Sequence, residues 1–283
     1  MEEFYSYNTL CEPNRNAPRM RGSGPKAYLH FAKSSDQTKA ALAKIPEYEQ
    51  VLFTRIARVW YPENPRQGLL KINTDYRGCA RCGLFKYRKK VVASRIIGNG
   101  DPQIAFVGQS PGANEDEQGW PFVGPSGQLL AEMLQKAQFS HPFLLTNIIA
   151  CRPEDGPGTA QRNDPTTEES IACSQRLWEV LATVKPNVVV ALGHIPAKMF
   201  WANPKQVSQN ILYKIGENLY VAHTRHPAYH LRAMGRGGKF EMEEAQGFFA
   251  QLNHFIRKLH PFPMDQPWPF QRGNGYPFKY IKI

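Results

Sequence analysis

The sequence predicts an α/β protein whose strands are mainly parallel and joined by helices. Short apolar runs alternate with amphipathic segments from residue 76 to about 260, which is typical of a parallel sheet with helical connections. The chain has 283 residues, of which 42% are hydrophobic, and this is enough to form a sizeable buried core. The runs that we predict as strands are residues 104–107, 143–146, 187–192 and 219–222.

Three segments have the pattern of helices. Apolar residues recur at helical spacing over 129–137 and again over 241–259. Between these segments, Thr166 stands three residues before Glu169, which is the spacing of a capping box at the start of a helix. The helix that begins there is expected to carry Cys173.

The two ends of the chain have a different composition. Prolines are frequent before residue 76, and we predict an N-terminal extension over 1–75 that is irregular apart from one helix near 36–60. Five prolines after residue 260 predict an irregular C-terminal tail over 261–283. The α/β domain is therefore expected to span 76–260.

The charge of the chain points to a polyanionic partner. Lysine and arginine outnumber aspartate and glutamate by 35 to 24, which gives a formal net charge of +11. The excess is concentrated in residues 76–100 and 222–240, and neither stretch contains an acidic residue. Segregated positive charge is typical of proteins that bind nucleic acid, although a solvated basic surface has the same composition.

The ends of the sequence and its apolar runs predict a cytoplasmic protein. The first five residues include two glutamates and no basic residue, whereas a secretory signal would have a basic start followed by an apolar stretch. The longest apolar runs, such as 188–192, are far shorter than the roughly 20 residues that a membrane-spanning helix needs. We therefore expect no membrane segment.

Four of the five cysteines have a spacing that is compatible with a metal site. Cys79 and Cys82 form a Cys-x-x-Cys pair, Cys151 and Cys173 follow later, and Cys11 stands apart. Four thiolates can hold a tetrahedral zinc ion or a 4Fe-4S cluster, and residue types alone do not separate the two. The later two cysteines could also be ordinary buried residues.

The most informative stretch follows the first predicted strand. Residues 108–112 read Gly-Gln-Ser-Pro-Gly, and residues 119–124 read Gly-Trp-Pro-Phe-Val-Gly. A strand that ends in such a turn before a helix builds a crevice at the carboxyl edge of a parallel sheet, where ligands usually bind. The stretch lacks Gly-Lys-Ser/Thr and Gly-x-Gly-x-x-Gly, so it does not support a nucleotide cofactor.

Four blocks in this order resemble the uracil-DNA glycosylase superfamily, in particular its iron-sulfur family 4. The blocks are the two glycine motifs above, Asn147 with a following Cys-Arg-Pro, Leu192-Gly193 after a strand, and His-Pro-Ala-Tyr-His-Leu-Arg at 226–232. The resemblance covers about 76–258. It implies a three-layer α/β/α sandwich with a central, mainly parallel four-stranded sheet. It also implies a 4Fe-4S cluster, rather than zinc, on Cys79, Cys82, Cys151 and Cys173.

The resemblance also implies two catalytic residues. Hydrolysis of a base from deoxyribose develops positive charge on the sugar and negative charge on the departing base, so an anion and a donor are needed. Glu115 matches the family's acidic residue, which orients water and stabilises the sugar cation. His226 matches the family's donor to the base oxygen.

The DNA-binding residues follow from the same resemblance. Such an enzyme flips the base out of single- or double-stranded DNA into a pocket. Phe122 matches the stacking platform, and Asn147 matches the residue that hydrogen-bonds the pyrimidine edge. The loop that wedges into the duplex matches Tyr229, His230, Leu231 and Arg232, and the basic residues expected to contact DNA are Arg88, Lys89 and Lys90. We expect the protein to act as a monomer.

The chain departs from the family 4 pattern in the first glycine motif. Gln109 and Ser110 stand where a glutamate and a small residue are usual, and Gly112 cannot shield the pyrimidine C5 position as the family 1 tyrosine does. We expect uracil as the excised base, because uracil leaves as a more stable anion than cytosine. Two alternatives stay open: excision of a 5-substituted cytosine, including glucosylated hydroxymethylcytosine, in anti-phage defence, and non-catalytic reading of a modified base.

Overall fold

The computed structural model describes residues 64–154, 156, 162, 164–201, 207–216, 218–234, 240–261 and 279–281. The predicted helix near 36–60 lies outside the described residues. The described elements are α1 (Pro65–Asp75), a 3-10 helix (Gly83–Lys86), β1 (Arg95–Ile97), β2 (Ile104–Gly108), α2 (Ala113–Gln118), α3 (Pro125–Lys136), β3 (Phe143–Asn147), α4 (Thr167–Val184), β4 (Val188–Leu192), α5 (His194–Ala197), β5 (Leu212–Gly216), β6 (Leu219–Thr224), α6 (Pro227–Met234), α7 (Phe240–Ile256) and β7 (Lys279–Ile281). Among these helices, none has the length and apolar character of a membrane span.

One mixed sheet forms the centre of the described structure, with strands in the order β1-β3-β2-β4-β6-β5-β7. The neighbours β3, β2, β4 and β6 are parallel, and they are the four predicted strands. The strands β1, β5 and β7 pair antiparallel at the two sides. The α/β class is therefore confirmed, whereas the predicted number of four strands is wrong. The outer strands escape prediction because a three-residue strand such as β1 is too short to show alternation.

The last strand also corrects the prediction of an irregular tail from residue 261. β7 spans Lys279–Ile281 and pairs antiparallel with β5. Prolines disfavour strands because they lack a backbone N–H for the ladder. β7 begins after Pro277, the last proline of the chain, so its backbone can pair.

Helices cover both faces of the sheet. Along β2, Ala105 and Val107 belong to one buried apolar cluster, and Ile104 and Phe106 belong to another. Successive side chains of a strand point to opposite faces, so the two clusters lie on opposite sides of the sheet. Residues of α1, α4 and α5 complete the first cluster, and residues of α3 and α7 complete the second. This is the predicted three-layer arrangement.

The helix α4 begins at the predicted capping box. Thr166 Oγ1 accepts a hydrogen bond from Glu169 N at 3.2 Å, and Glu169 Oε2 accepts one from Thr166 N at 2.8 Å. The helix α1, inside the stretch predicted as an extension, packs against α4. Its residues Leu69 and Ile72 are buried in the same cluster as the α4 residue Leu177.

The parallel strands place the predicted site residues at one edge of the sheet. Gly108 at the end of β2 lies opposite Asn147 at the end of β3, and Leu192 lies opposite Thr224. Because parallel strands end at the same edge, the loop 109–112 and His226 follow their strands on the same side as Asn147.

Candidate active site and cysteine pocket

Gly108 makes room for two of the predicted base-binding side chains. A Cβ atom on Gly108 would lie 2.3 Å from Asn147 Oδ1 and 2.6 Å from Phe122 Cζ. Contacts below about 3 Å are far inside van der Waals distance, so any larger residue would displace both groups. The structure therefore brings Asn147 and Phe122 together at the carboxyl end of β2.

Phe122 has an unusual backbone conformation. Its φ of 57° lies in the left-handed region, which is rare for a bulky residue. A Cβ atom on Gly127 would lie 1.9 Å from the carbonyl oxygen of Phe122, so the first turn of α3 contacts this backbone directly. Such strain costs about 1–3 kcal/mol and is common at functional sites.

The predicted donor His226 lies next to this platform. The rings of Phe122 and His226 are stacked, with 6.4 Å between centroids and 24° between planes. His226 Nδ1 accepts a hydrogen bond from Ala228 N at 3.1 Å, which leaves the proton of a neutral ring on Nε2. Burial, together with the charges of Arg232 and His230, lowers the pKa of His226 to about 4. At neutral pH, His226 is therefore a neutral N–H donor.

Glu115 is buried in the first turn of α2, with 8% of its surface exposed. Its Oε2 accepts a hydrogen bond from Gly112 N at 3.0 Å, and its Oε1 accepts one from Gly124 N at 2.7 Å. The carboxylate therefore joins the two glycine motifs. Each oxygen keeps a second lone pair that could accept a proton from water.

The neighbouring Asp116 holds the basic segment against α2. Asp116 is 2% exposed, and its carboxylate accepts hydrogen bonds from Lys89 N at 3.1 Å and Lys90 N at 3.3 Å. Lys89 Nζ also forms an ion pair with Glu117. Lys89 and Lys90 are exposed, whereas Arg88 is half-buried and lines the cysteine pocket. The sequence predicted no role for Asp116. Only its position beside Glu115 indicated that it could matter.

The predicted wedge segment is a helix. Tyr229 is 38% exposed, and the guanidinium of Arg225 lies 4.7 Å from the centre of its ring. Arg232 is also exposed. His230 is 2% exposed, and Leu231 packs against the second apolar cluster. Two of the four predicted residues thus lie at the surface, and the other two point into the protein.

The loop that departs from the family pattern contacts the segment before α4. Gln109 Nε2 donates a hydrogen bond to Asp164 Oδ1 at 2.7 Å. Arg162 in turn donates to the Asp164 carbonyl at 3.0 Å and pairs with Glu169 at 2.7 Å. Ser110 is half-buried and Gly112 is exposed. No pattern in the sequence indicated the contact of Gln109 with Asp164.

All four predicted metal ligands line one pocket. Cys151 is buried and the other three are half-buried. Burial, followed by the charge of Cys173, raises the pKa of Cys151 to about 12. In the described part of the chain, no three Cys, His, Asp or Glu side chains are arranged to hold one metal ion. A single zinc ion needs its sulfurs at about 2.3 Å, whereas the cysteines of an iron-sulfur cluster each bind a different iron and lie farther apart.

The charges around the pocket fit an anionic occupant. Arg176 lines the pocket and is 2% exposed, and no described residue hydrogen-bonds its Nε. Arg88 and Arg81 line the pocket as well, and the carboxylate of Glu169, which also lines it, is paired with Arg162. Four thiolates give a bound cluster a negative charge, which would balance these cations. The donor set and its surroundings therefore fit the cluster that the resemblance implies.

Comparisons of the sequence with known proteins identify a family and several relatives. Residues 96–253 match the family described as the uracil DNA glycosylase superfamily. The chain is 32% identical over 200 residues to the type-4 uracil-DNA glycosylase of Pyrobaculum aerophilum, with 66% of this chain and 97% of that protein covered. It is 35% identical over 174 residues to that of Thermotoga maritima, with 59% and 85% covered. For Saccharolobus solfataricus, the identity is 34% over 124 residues, with 43% and 54% covered.

Proposed function

The chain belongs to the uracil DNA glycosylase superfamily, and from this premise we propose that it is a monofunctional DNA glycosylase that hydrolyses uracil from DNA. The observation that carries the proposal is the joint position of Asn147, Phe122 and His226 at the carboxyl edge of the sheet. An amide, an aromatic face and a neutral donor are the groups needed to hold one flipped pyrimidine.

Asn147 and Phe122 would bind the base. The side-chain amide of Asn147 offers one acceptor and one donor group, which matches the paired donor and acceptor on the uracil edge. Phe122 would stack on the face of the base, and its backbone is held in a strained conformation against Gly127. Both roles are supported by the close approach of the two side chains to Gly108.

Glu115 and His226 would divide the hydrolysis between them. The bond from C1′ to N1 breaks with its electron pair leaving on the base, and the oxygen of a water molecule bonds to C1′. The carboxylate of Glu115 would stabilise the sugar cation and receive a proton of that water. The Nε2–H group of His226 would donate to the base oxygen on which negative charge accumulates. A neutral imidazole suits this task, because it donates without a prior proton uptake.

We further propose that the cysteine pocket holds a 4Fe-4S cluster on Cys79, Cys82, Cys151 and Cys173. When bound, the cluster would cross-link the segment after α1, the loop after β3 and the helix α4. This role is structural, because it fixes the basic segment 86–90 beside α2. No step of the proposed hydrolysis passes through it.

The surface beside the site suits DNA. Lys89 and Lys90 are exposed next to α2, and Tyr229 and Arg232 are exposed on α6. We propose that these residues contact the strand around the flipped nucleotide, and that the protein acts as a monomer in the cytoplasm. We also propose that the glycosylase domain spans residues 76–260. The helix α1 lies before residue 76 in the sequence and packs against α4 of this domain.

The base is identified by one assay. The protein is incubated with matched duplexes that carry uracil, cytosine or a glucosylated 5-hydroxymethylcytosine at one position, and alkali-labile abasic sites are measured. The proposal predicts abasic sites at uracil only, as the names of the relatives favour. Abasic sites only at the modified cytosine would support the defence alternative. Specific binding without any abasic site would support a reader.

A further inference from the structure

Arg176 is a buried cation of α4 that has no ion pair among the described residues. It is 2% exposed, and within the part of the chain that the structure describes its Nε atom has no hydrogen-bond partner. Removing a guanidinium from water is costly unless its hydrogen bonds and charge are balanced elsewhere. An apolar residue would suit the core-facing side of α4 better, so the position of Arg176 calls for a specific task.

The contacts of Arg176 converge on the end of β3. Its Nη2 donates a hydrogen bond to the backbone carbonyl of Asn147. Its Nη1 donates to Ser94 Oγ at 2.9 Å and lies 3.4 Å from Thr146 Oγ1. Ser94 Oγ and Thr146 Oγ1 are themselves 2.7 Å apart. One planar guanidinium therefore fixes the last two residues of the strand that presents Asn147.

The same side chain borders the cysteine pocket. Arg176 lines this pocket and follows Cys173 by three residues on α4, which places the two on neighbouring turns of one face. Arg176 is thus in contact with both the predicted cluster site and the backbone of the predicted base-binding residue.

We propose that Arg176 is a positioning residue that sets Asn147 for base recognition and links this recognition to the cysteine pocket. The proposal rests on the proposed glycosylase function. The amide of Asn147 must meet the edge of the flipped base within a few tenths of an ångström. The hydrogen bond from Arg176 to the Asn147 carbonyl fixes the backbone position from which this amide extends. The negative charge of the four-thiolate site would hold the guanidinium in place. Loss of occupancy in the pocket would then weaken base selection through Arg176.

Arg81 provides a control at the same pocket; it is exposed, whereas Arg176 is buried. It lines the same pocket, but its hydrogen bonds go to Tyr76 Oη at 3.2 Å and Gln175 Oε1 at 2.8 Å. We expect Arg176→Gln to lower the single-turnover rate on uracil by about 10²-fold, as a small misplacement of a binding group does, and Arg81→Gln to stay within about threefold of wild type. Arg176→Lys keeps the charge without the planar fork and should be intermediate.

A binding measurement separates positioning from a general structural role. The affinity for a duplex with non-hydrolysable 2′-fluoro-deoxyuridine is compared with the affinity for a thymine duplex. Visible absorbance shows whether the cysteine pocket of each variant still holds its cluster. Arg176→Gln should lose most of the preference for the uracil analogue while keeping affinity for the thymine duplex. In a double-mutant cycle with Asn147→Ala, the effect of Arg176→Gln should largely vanish, because Asn147→Ala removes the side-chain amide that Arg176 positions through the backbone carbonyl.

Each outcome decides the proposal. If the wild type is active and the effects of Arg176→Gln and Asn147→Ala on uracil preference are additive, the inference about Arg176 is overturned and the proposed function stands. The same holds if Arg176→Gln and Arg81→Gln lose uracil preference equally. If Arg176→Gln does not fold, the cycle is run with Arg176→Lys, and additivity there overturns the inference equally. A wild type that neither prefers the uracil analogue nor excises uracil would overturn the proposed function and this inference with it.

Discussion

The carboxylate of Glu115 and the backbone N–H of Gly124 are hydrogen-bonded at 2.7 Å, which joins the predicted catalytic carboxylate to the loop that carries Phe122. Phe122 in turn stacks on the ring of His226. One short loop, 119–124, therefore contacts the acid through its backbone and the imidazole through its side chain. Displacement of this loop would disturb the acid, the stacking platform and the donor together.

Gly108→Ala should abolish the base site. The added methyl group would lie 2.3 Å from Asn147 Oδ1 and 2.6 Å from Phe122 Cζ, so both side chains must move. We expect single-turnover uracil excision to fall by at least about 10²-fold. Gly247→Ala is the control, because a Cβ there has no neighbour within 4 Å. It should keep full activity and gain about 0.5–1 kcal/mol in helix stability. Equal activity of the two variants would contradict the predicted pocket.

His226 should make the protein sensitive to acid. Its pKa is near 6.5 in the unfolded chain and about 4 in the folded protein, because burial disfavours the charged ring. As the pH falls from 6.5 to 4, the unfolded chain takes up a proton that the folded protein does not, so stability decreases across this window. Between pH 7 and 4, wild type should lose about 3 kcal/mol more free energy of unfolding than His226→Gln. If denaturant titrations give the same pH dependence for wild type and His226→Gln, the ring of His226 is not shielded from water in the folded protein.

The cysteine pocket predicts a coloured protein. Purified without oxygen, the wild type should be brown and contain roughly four irons per chain. Cys79→Ser and Cys151→Ser should each remove the broad absorption at the blue end of the visible range. Cys11→Ser should retain it, since this cysteine is not among the predicted ligands. A colourless wild type that contains zinc would refute the cluster.

Asp116 should be a structural rather than a catalytic acid. Its buried carboxylate accepts hydrogen bonds from the backbone of Lys89 and Lys90, and Asp116→Ala would leave those donors unsatisfied. We expect a loss of about 1–3 kcal/mol in the free energy of unfolding. Glu117→Ala removes only an exposed ion pair with Lys89 and should change stability by at most about 0.5 kcal/mol. Similar melting temperatures for the two variants would argue against the role of Asp116.

The sequence predicted the centre of the fold because its signals are local. The four parallel strands are continuous apolar runs, as strands buried on both faces must be. The start of α4 was visible in Thr166 and Glu169, whose side chains and backbones bond within three residues. Pro227 occupies the first position of α6. Proline is favoured at this position, so it indicated that a helix begins in the predicted wedge segment.

The rest could not be predicted because it depends on contacts between distant residues. Arg176 reaches Ser94 across 82 positions, and Gln109 reaches Asp164 across 55. Neither pair leaves a periodic pattern in the sequence. The roles of Glu115, His226 and the other predicted site residues stay predictions, and the structure contributes the stacking of Phe122 on His226, the approach of Phe122 and Asn147 to Gly108, and the bonds of Glu115 to both glycine motifs.

The most direct test of the central claim is the rate of uracil excision by Glu115→Gln. The variant keeps the size of the side chain and one of its two backbone hydrogen bonds, but it removes the negative charge beside the sugar. We predict that single-turnover excision falls by at least about 10²-fold, while affinity for a duplex with 2′-fluoro-deoxyuridine stays within about threefold of wild type. A wild-type rate in Glu115→Gln would contradict the account.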